Sequence, residues 1–236
     1  MTETTRKKLI EQLVAGAAIA SVTVFAMRHL GWNPPPLLSP NVNHFDYDVE
    51  WNRMSPALML WMIFGVYWSI AARNSAPAES SESRVSTYFH QLVLAAALFL
   101  LFAPAPGLTG WFLPQRFHFL VAVGVIVQAG FLLLAVWARR HLGRNWSAEV
   151  RIGEGHELVR SGPYRLIRHP ICTAMLGMFL GTGIASSQYH ALLGLAILVV
   201  AYLRKTRLEE QILLKAFGAD FEVYQRSSWA LVPLVF

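Results

Sequence analysis

Apolar residues in this chain gather in long runs separated by short polar stretches, a pattern that predicts helices in a bilayer. Five runs stand out: Leu9 to Met27, Met54 to Ala72, Tyr88 to Ala103, Phe117 to Ala138 and Ile171 to Ser186. A sixth, Ala191 to Leu203, follows the turn Ser186-Ser-Gln-Tyr-His190 and leads into a charged extension. The fourth run is long enough to cross about 30 Å of hydrocarbon at ~1.5 Å per residue. The last two are short, since a helix of about thirteen residues reaches only ~20 Å. They are expected to form a helical hairpin, with the final helix running past Leu203 into the cytoplasm as far as Phe217 and stopping at Gly218. A re-entrant hairpin is the alternative. Between the first two runs, Gly31 to Asn52 holds Pro34-Pro-Pro36 and the acids Asp46, Asp48 and Glu50, and is too polar to span. The Ser/Ala/Glu-rich stretch Asn74 to Thr87 reads as a linker.

The polar positions orient these runs. With the N-terminus inside, 17 of the 20 lysines and arginines fall in inner segments, and only Arg28, Arg53 and Arg116 fall outside. Positive charge is retained on the cytoplasmic side of membrane proteins, so an even number of crossings with both termini cytoplasmic is expected. Arg6, Lys7 and Lys8 precede the first run, which continues without a small-residue cleavage site and reads as an uncleaved first span.

Composition agrees. Hydrophobic residues make up 55% of the 236 positions and charged residues only 14%, well below the charge of a soluble domain. The fold class expected is therefore all-α: a polytopic integral membrane helical bundle of five to six transmembrane helices, with a C-terminal helical hairpin and a cytoplasmic pocket. Its setting would be a bacterial inner membrane or an equivalent one. The formal charge of +6 is accounted for by topology and anionic headgroups. No interleaved basic-aromatic surface points to nucleic acid. The single cysteine, Cys172, excludes an internal disulfide framework.

The two halves differ in kind: residues 1–138 read as scaffold, and 139–236 hold the chemistry. The most informative stretch is Gly155 to Ile171, polar, basic and Gly/Pro-punctuated, lying between two apolar runs. Within it, Gly162-Pro-Tyr164 fixes a tight backbone path, and Pro170 suits the first turn of the fifth helix. Arg168 and His169 stand immediately before that helix start, where an anion is well held. A positive cap at a helix end is the plainer reading of the same pair. Downstream, Arg204-Lys-Thr-Arg-Leu-Glu-Glu210 places Lys205 and Glu209 four apart and Arg207 and Glu210 three apart on a helix. Two adjacent acids in so basic a neighbourhood suit an ammonium or another cationic ligand, although surface ion pairs would give the same pattern. Phe217, Phe221 and Tyr224 recur at helical spacing, as in an amphipathic helix on the bilayer, a reading compatible with a role as pocket lid, and Trp229 to Pro233 reads as interfacial anchoring. Gly143 is a natural terminator for the fourth helix.

Each piece is weak alone, but their order is distinctive. Leu142-Gly-Arg-Asn-Trp146, His156-Glu-Leu-Val159, Ser161-Gly-Pro-Tyr164, Arg168-His-Pro170, Glu209-Glu210, Phe217-Gly218, Tyr224 and Val232-Pro233 together resemble the isoprenylcysteine carboxyl methyltransferase family. The phospholipid N-methyltransferases are among its wider relatives. The resemblance covers about Arg139 to Pro233. It implies a membrane-embedded methyltransferase that uses S-adenosyl-L-methionine without a Rossmann domain. It further implies that His156, Glu157, Leu158 and Val159 line the cofactor, that Tyr164 packs on it, and that His169, Pro170, Ile171 and Cys172 form the next wall. Glu209, with Glu210 beside it, would take the cofactor's amino or ribose side. Lys205 falls where the family places an arginine near the substrate carboxylate, with Arg204 and Arg207 as neighbours and Arg151 as a further contact. Arg168 completes the cationic set. The chain departs from the family at Cys172, where a tyrosine is usual, at Ala174, where a glycine is common, and at Lys205, which lacks the arginine fork.

The resemblance implies a lipophilic small-molecule or lipid acceptor entering from the bilayer and a polar cofactor entering from the cytoplasm. A carboxylate acceptor is already ionised at neutral pH and needs no base. An amine acceptor would need one, His169 or Glu210, and a small thiol is a third possibility. The non-enzymatic alternative is a transporter-like or sensor bundle with a basic rim. Against it, the charges cluster at one interface and not at the midplane, where transport sites lie.

Overall fold

The computed structural model describes residues 45–73, 84–102, 119–143 and 158–233. The chain divides into two compact units, Met1–Arg73 and Asn74–Phe236. In the first, helix α1 spans Phe45–Ala72. It begins nine residues before the apolar run at Met54. Phe64 and Trp68 stack along it at 4.9 Å, while Met59, Met62, Ile63, Val66 and Ile70 are exposed.

The second unit contains α2 (Arg84–Phe102), α3 (Phe119–Leu142), a 3-10 turn (Gly162–Arg165), α4 (Pro170–Ser186), α5 (Tyr189–Phe217) and α6 (Ala219–Arg226). No strand forms among the described residues; an isolated parallel bridge joins Ile167 and Trp229. Helix α3 ends at Leu142, where Gly143 takes φ +54°. Helix α5 ends at Phe217, where Gly218 takes φ +50° and donates its N–H to the Leu214 carbonyl at 2.8 Å. Both stops fall where the sequence places them. The hairpin turn between α4 and α5 is tight, and Ser187 adopts the left-handed conformation that closes it.

Two antiparallel helix pairs make this unit. Helices α3 and α4 approach so closely that a Cβ on Gly124 would sit 2.4 Å from the Gly181 carbonyl oxygen, and one on Gly181 would sit 2.6 Å from the Gln128 nitrogen. Gly177, Gly181 and Ala185 recur every four residues and bring the backbones together, as small residues do between membrane helices. Helices α2 and α5 pair from His190, whose Nδ1 lies 2.7 Å from the Leu100 carbonyl, through Gly194 against Ala97, to Tyr202 beside His90. The N-terminal ends of α2 and α4, the C-terminal end of α3 and the charged half of α5 therefore lie at one end of the unit.

Large apolar side chains remain exposed on these helices, among them Leu92, Ile126, Leu133 and Val200. Such a belt is unfavourable in water and suited to hydrocarbon. Among the described residues one helix, Phe119–Leu142, is long and apolar enough by itself to cross a membrane, and Pro56–Ala72, Tyr88–Phe102 and Pro170–Ser186 are shorter apolar helices. The first apolar run, Leu9 to Met27, lies outside the described residues.

Candidate functional site

At the charged end of the second unit, the segment before α4 is laid down by backbone pairing. Arg168 N–H donates to the Trp229 carbonyl at 2.7 Å, His169 N–H to Ala230 at 3.1 Å, and Trp229 N–H to Leu166 at 2.9 Å. The hydroxyl of Thr173 donates to the Leu231 carbonyl at 2.6 Å. Residues 229–231 thus strap the His-Pro corner. Ala230 and Leu231 are buried while Trp229 and Val232 stay exposed, and the pairing satisfies a buried backbone that would be costly to leave unpaired. Gly162 turns the chain with φ +58° directly against the His141 ring, where any Cβ would clash at 2.4 Å. Pro170 opens α4 as its first residue, with His169 as the cap.

This corner meets the twin glutamates of α5. The Arg168 Nε donates to Glu210 Oε1 at 2.7 Å. His169 Nε2 lies 3.2 Å from Glu210 Oε1 and its Nδ1 lies 3.1 Å from Glu209 Oε2. Lys205 Nζ stands 3.7 Å from Glu209 Oε1. Ionised carboxylates only accept, so this geometry favours a His169 ring that donates from both nitrogens. Burial opposes that charge, but hydrogen bonds and charge from Glu209 and Glu210 outweigh it and raise the His169 pKa above 6.5. The glutamates respond in kind. Burial pushes Glu210 up, but His169 and Arg168 bring it down to about 2. Burial likewise opposes ionisation of Glu209, and Lys205 with His169 holds it below 4.5.

The two acids are not equivalent. Both oxygens of Glu210 have partners within the fold: Arg168 and His169 on Oε1, and Gln225 Nε2 at 3.1 Å on Oε2. Arg168 is fixed in turn by the carbonyls of Gln225 and Ser228 just at the end of α6, where a cation offsets the unpaired carbonyls of a helix C-terminus. Glu210 therefore holds the corner. The Arg207–Glu210 pairing expected from their spacing does not form, because the fixed, largely buried guanidinium of Arg168 takes that carboxylate. Glu209 keeps spare acceptor capacity and a partly open side chain.

Around Glu209 lie Tyr164 and Cys172, both buried. Burial first, then the nearby Cys172 and Glu209, push the Tyr164 phenol upward, so it stays neutral. Its carbonyl accepts a 2.5 Å hydrogen bond from the Tyr224 hydroxyl. Phe221 and Tyr224 are buried within the protein, so this apolar face covers the turn as a lid would, with Arg160 stacked over the Tyr224 ring at 5.8 Å.

The structure thus brings together Arg168, His169, Lys205, Glu209 and Glu210, with Pro170, Ile171 and Cys172 on the first turn of α4 and Tyr164 on the preceding turn. Leu158 and Val159 lead into it, half-buried. His156, Glu157 and Arg151 lie outside the described residues. Arg204 and Arg207 are not part of the cluster. Arg204 donates to Ser86 Oγ at 2.8 Å and packs over Phe89 on α2. At about 100° per residue, Arg207 sits about 160° around α5 from Glu209. The strap at 229–231, Gln225 and Ser228 had no signal in the sequence, since they act through backbone or as neutral partners.

Residues 119–220 match the phospholipid methyltransferase family. The match supports the wider phospholipid and isoprenylcysteine methyltransferase resemblance without singling out the isoprenylcysteine branch. That family is membrane-associated and acts on lipid-like substrates. It spans α3, α4 and α5 and stops before the strap that fixes Arg168. No curated protein matches the chain.

Proposed function

We propose that this protein transfers a methyl group from S-adenosyl-L-methionine to the carboxylate of a lipophilic, isoprenylcysteine-like acceptor at the membrane–cytoplasm interface. In this reading the bundle is multi-pass with both termini cytoplasmic, residues 1–138 form the scaffold, and 139–236 carry the chemistry.

The donor set suits the cofactor. Glu209, partly open and not saturated, is an acceptor for an ammonium or ribose hydroxyl. Neutral Tyr164 offers a packing surface, and Leu158, Val159, Ile171 and Cys172 supply apolar walls. His156 and Glu157 would extend the lining. Bound S-adenosyl-L-methionine supplies an electrophilic methyl group. The chain's own work is to orient the nucleophile and exclude water from it. Lys205, paired with Glu209, aims the acceptor carboxylate as a point charge, a role for which Arg204 and Arg207 lie on the wrong side of α5.

The single observation that carries the choice of acceptor is His169 held between two carboxylates. A ring with both nitrogens donating has no lone pair with which to take a proton, and Glu210, lowered to about 2, is a poor base at neutral pH. An acceptor that is already anionic needs neither. The second reading, methylation of a phospholipid amine, is favoured by the description of the matching family; it requires the amine to lose its proton to solvent before transfer.

The test is methyl transfer from labelled cofactor to parallel panels of lipophilic acids, amines and thiols, using the full chain in vesicles. Label in the acid panel, with a rate flat across neutral pH, is the expected result. Label confined to amines, rising with pH as the acceptor deprotonates, would overturn the carboxylate assignment, and no label in any panel would leave a non-enzymatic bundle.

A further inference from the structure

On the side of α5 turned away from Glu209 lies a groove of about 410 Å³ lined by Val200, Leu203, Arg204, Arg207, Leu208 and Gln211. We propose that this groove docks an anionic phospholipid of the surrounding bilayer, with its phosphate on the two arginines and the start of an acyl chain on Val200 and Leu203. The inference goes beyond methyl transfer and rests only on the apolar half of α5 lying in the membrane.

The lining changes character along the helix. Val200 is 69% exposed, has no polar group and belongs to the apolar run. One turn on come Leu203 and Arg204, then Arg207 and Leu208, then Gln211, in all about 16 Å of helix. Apolar contact gives way to positive charge within two turns, as a lipid gives way from chain to headgroup at the boundary of the hydrocarbon.

Among the described residues no acid neutralises the charge on this face. Among the described residues neither arginine forms an ion pair, and the acid three residues beyond Arg207 is held by Arg168 and His169 on the other flank of the helix. The Ser86 hydroxyl and the face of Phe89 hold the Arg204 guanidinium in place. That contact uses one of its five N–H donors and leaves the others for an anion. Two guanidinium groups three residues apart on one face match a phosphate better than a zwitterionic headgroup, whose ammonium they would repel. Gln211, exposed at the polar end, can donate to an ester or glycerol oxygen.

The probe is spin-labelled phosphatidylglycerol against spin-labelled phosphatidylcholine, each at trace level in phosphatidylcholine vesicles holding the full-length protein. The fraction immobilised by the protein is read for each. The wild type should retain phosphatidylglycerol preferentially, and Arg207→Gln should reduce that preference about fivefold, the contribution of one basic residue near the surface. Arg226→Gln, at the exposed last residue of α6, serves as the net-charge control and should leave the preference in place. Equal retention of the two lipids by the wild type, or equal losses in Arg207→Gln and Arg226→Gln, would overturn the proposal. If Arg207→Gln loses its helical signal, Gln211→Glu is the second variant; it sets a carboxylate at the polar end of the groove and should lower the preference, and an unchanged preference would count against the site. Because no cofactor is present, failure of the methyltransferase reading would not move these results.

Discussion

Arg168 donates its Nε to Glu210 at 2.7 Å, across 42 residues of chain and with both side chains largely buried. That one bond ties the segment before α4 to the charged half of α5, and the other end of the guanidinium caps α6. It acts together with the contacts of His169 to both glutamates and with the 229–231 strap to hold this corner against α5. Removing either partner leaves a charge that is mostly out of water and unpaired. Glu210→Ala should therefore destabilise the protein by about 3 kcal/mol, seen as a lower midpoint of thermal unfolding in detergent. A loss of less than about 0.5 kcal/mol, the range of surface substitutions, would show that the pair is not structural.

The cluster should respond to pH from both sides. The His169 pKa is raised above 6.5, so its contribution is complete below 6.5 and lost as pH rises through the raised value. Glu209 and Glu210 are lowered from 4.5, Glu210 to about 2, so their contribution is complete above 4.5 and lost as pH falls through the lowered values. Stability should peak between those limits. His169→Gln should flatten the decline on the alkaline side and also shrink the acid limb, since His169 is one of the groups that lower both glutamates. Superimposable melting profiles for variant and wild type from neutral to alkaline pH would show that His169 does not carry this charge.

Cys172 stands on the first turn of α4 where the resembling family has a tyrosine, and it is buried beside the cluster. A small thiol donates no strong hydrogen bond, so Cys172→Ala should keep cofactor affinity within about twofold while changing the ranking of acceptors. Calorimetry together with the acceptor panel checks both halves. Abolished cofactor binding would give the thiol a direct role.

Close approach of α3 and α4 depends on Gly181. Its missing Cβ faces the Gln128 nitrogen and the Gly124 carbonyl, both at 2.6 Å, and backbone atoms cannot rotate away. Gly181→Leu should cost at least about 3 kcal/mol, while Leu180→Ala, one residue earlier on an exposed position, should cost far less. Comparable unfolding midpoints for the two variants would mean that the helices are not held by this contact.

Much of this was legible in the chain because it is local. The stops at Gly143 and Gly218, the run of α5 to Phe217 and the Lys205–Glu209 pair all follow from the residue types and their spacing. The meeting of His169 with the glutamates followed from the order of motifs and not from any periodicity. What escaped was non-local or carried by the backbone. The pairing of 229–231 with 166–169 leaves no side-chain pattern, and Gln225 and Ser228 are neutral residues that matter only because Arg168 reaches them. The Gly177–Gly181 spacing was hidden inside an apolar run. Arg204 and Arg207 were grouped with Lys205 because they are neighbours in sequence, although helical geometry turns them about 140° and 160° from Glu209.

The central claim is that Glu209, beside the corner formed by His169 and Pro170, grips the methyl donor. The most direct measurement is calorimetric titration of S-adenosylhomocysteine into the full-length protein and into Glu209→Gln in the same detergent. Micromolar-scale binding by the wild type, weakened at least about tenfold in the variant (about 1.4 kcal/mol) while the variant still unfolds cooperatively, is the predicted outcome. No heat of binding to the wild type at millimolar ligand, or identical isotherms for the two proteins, would contradict it.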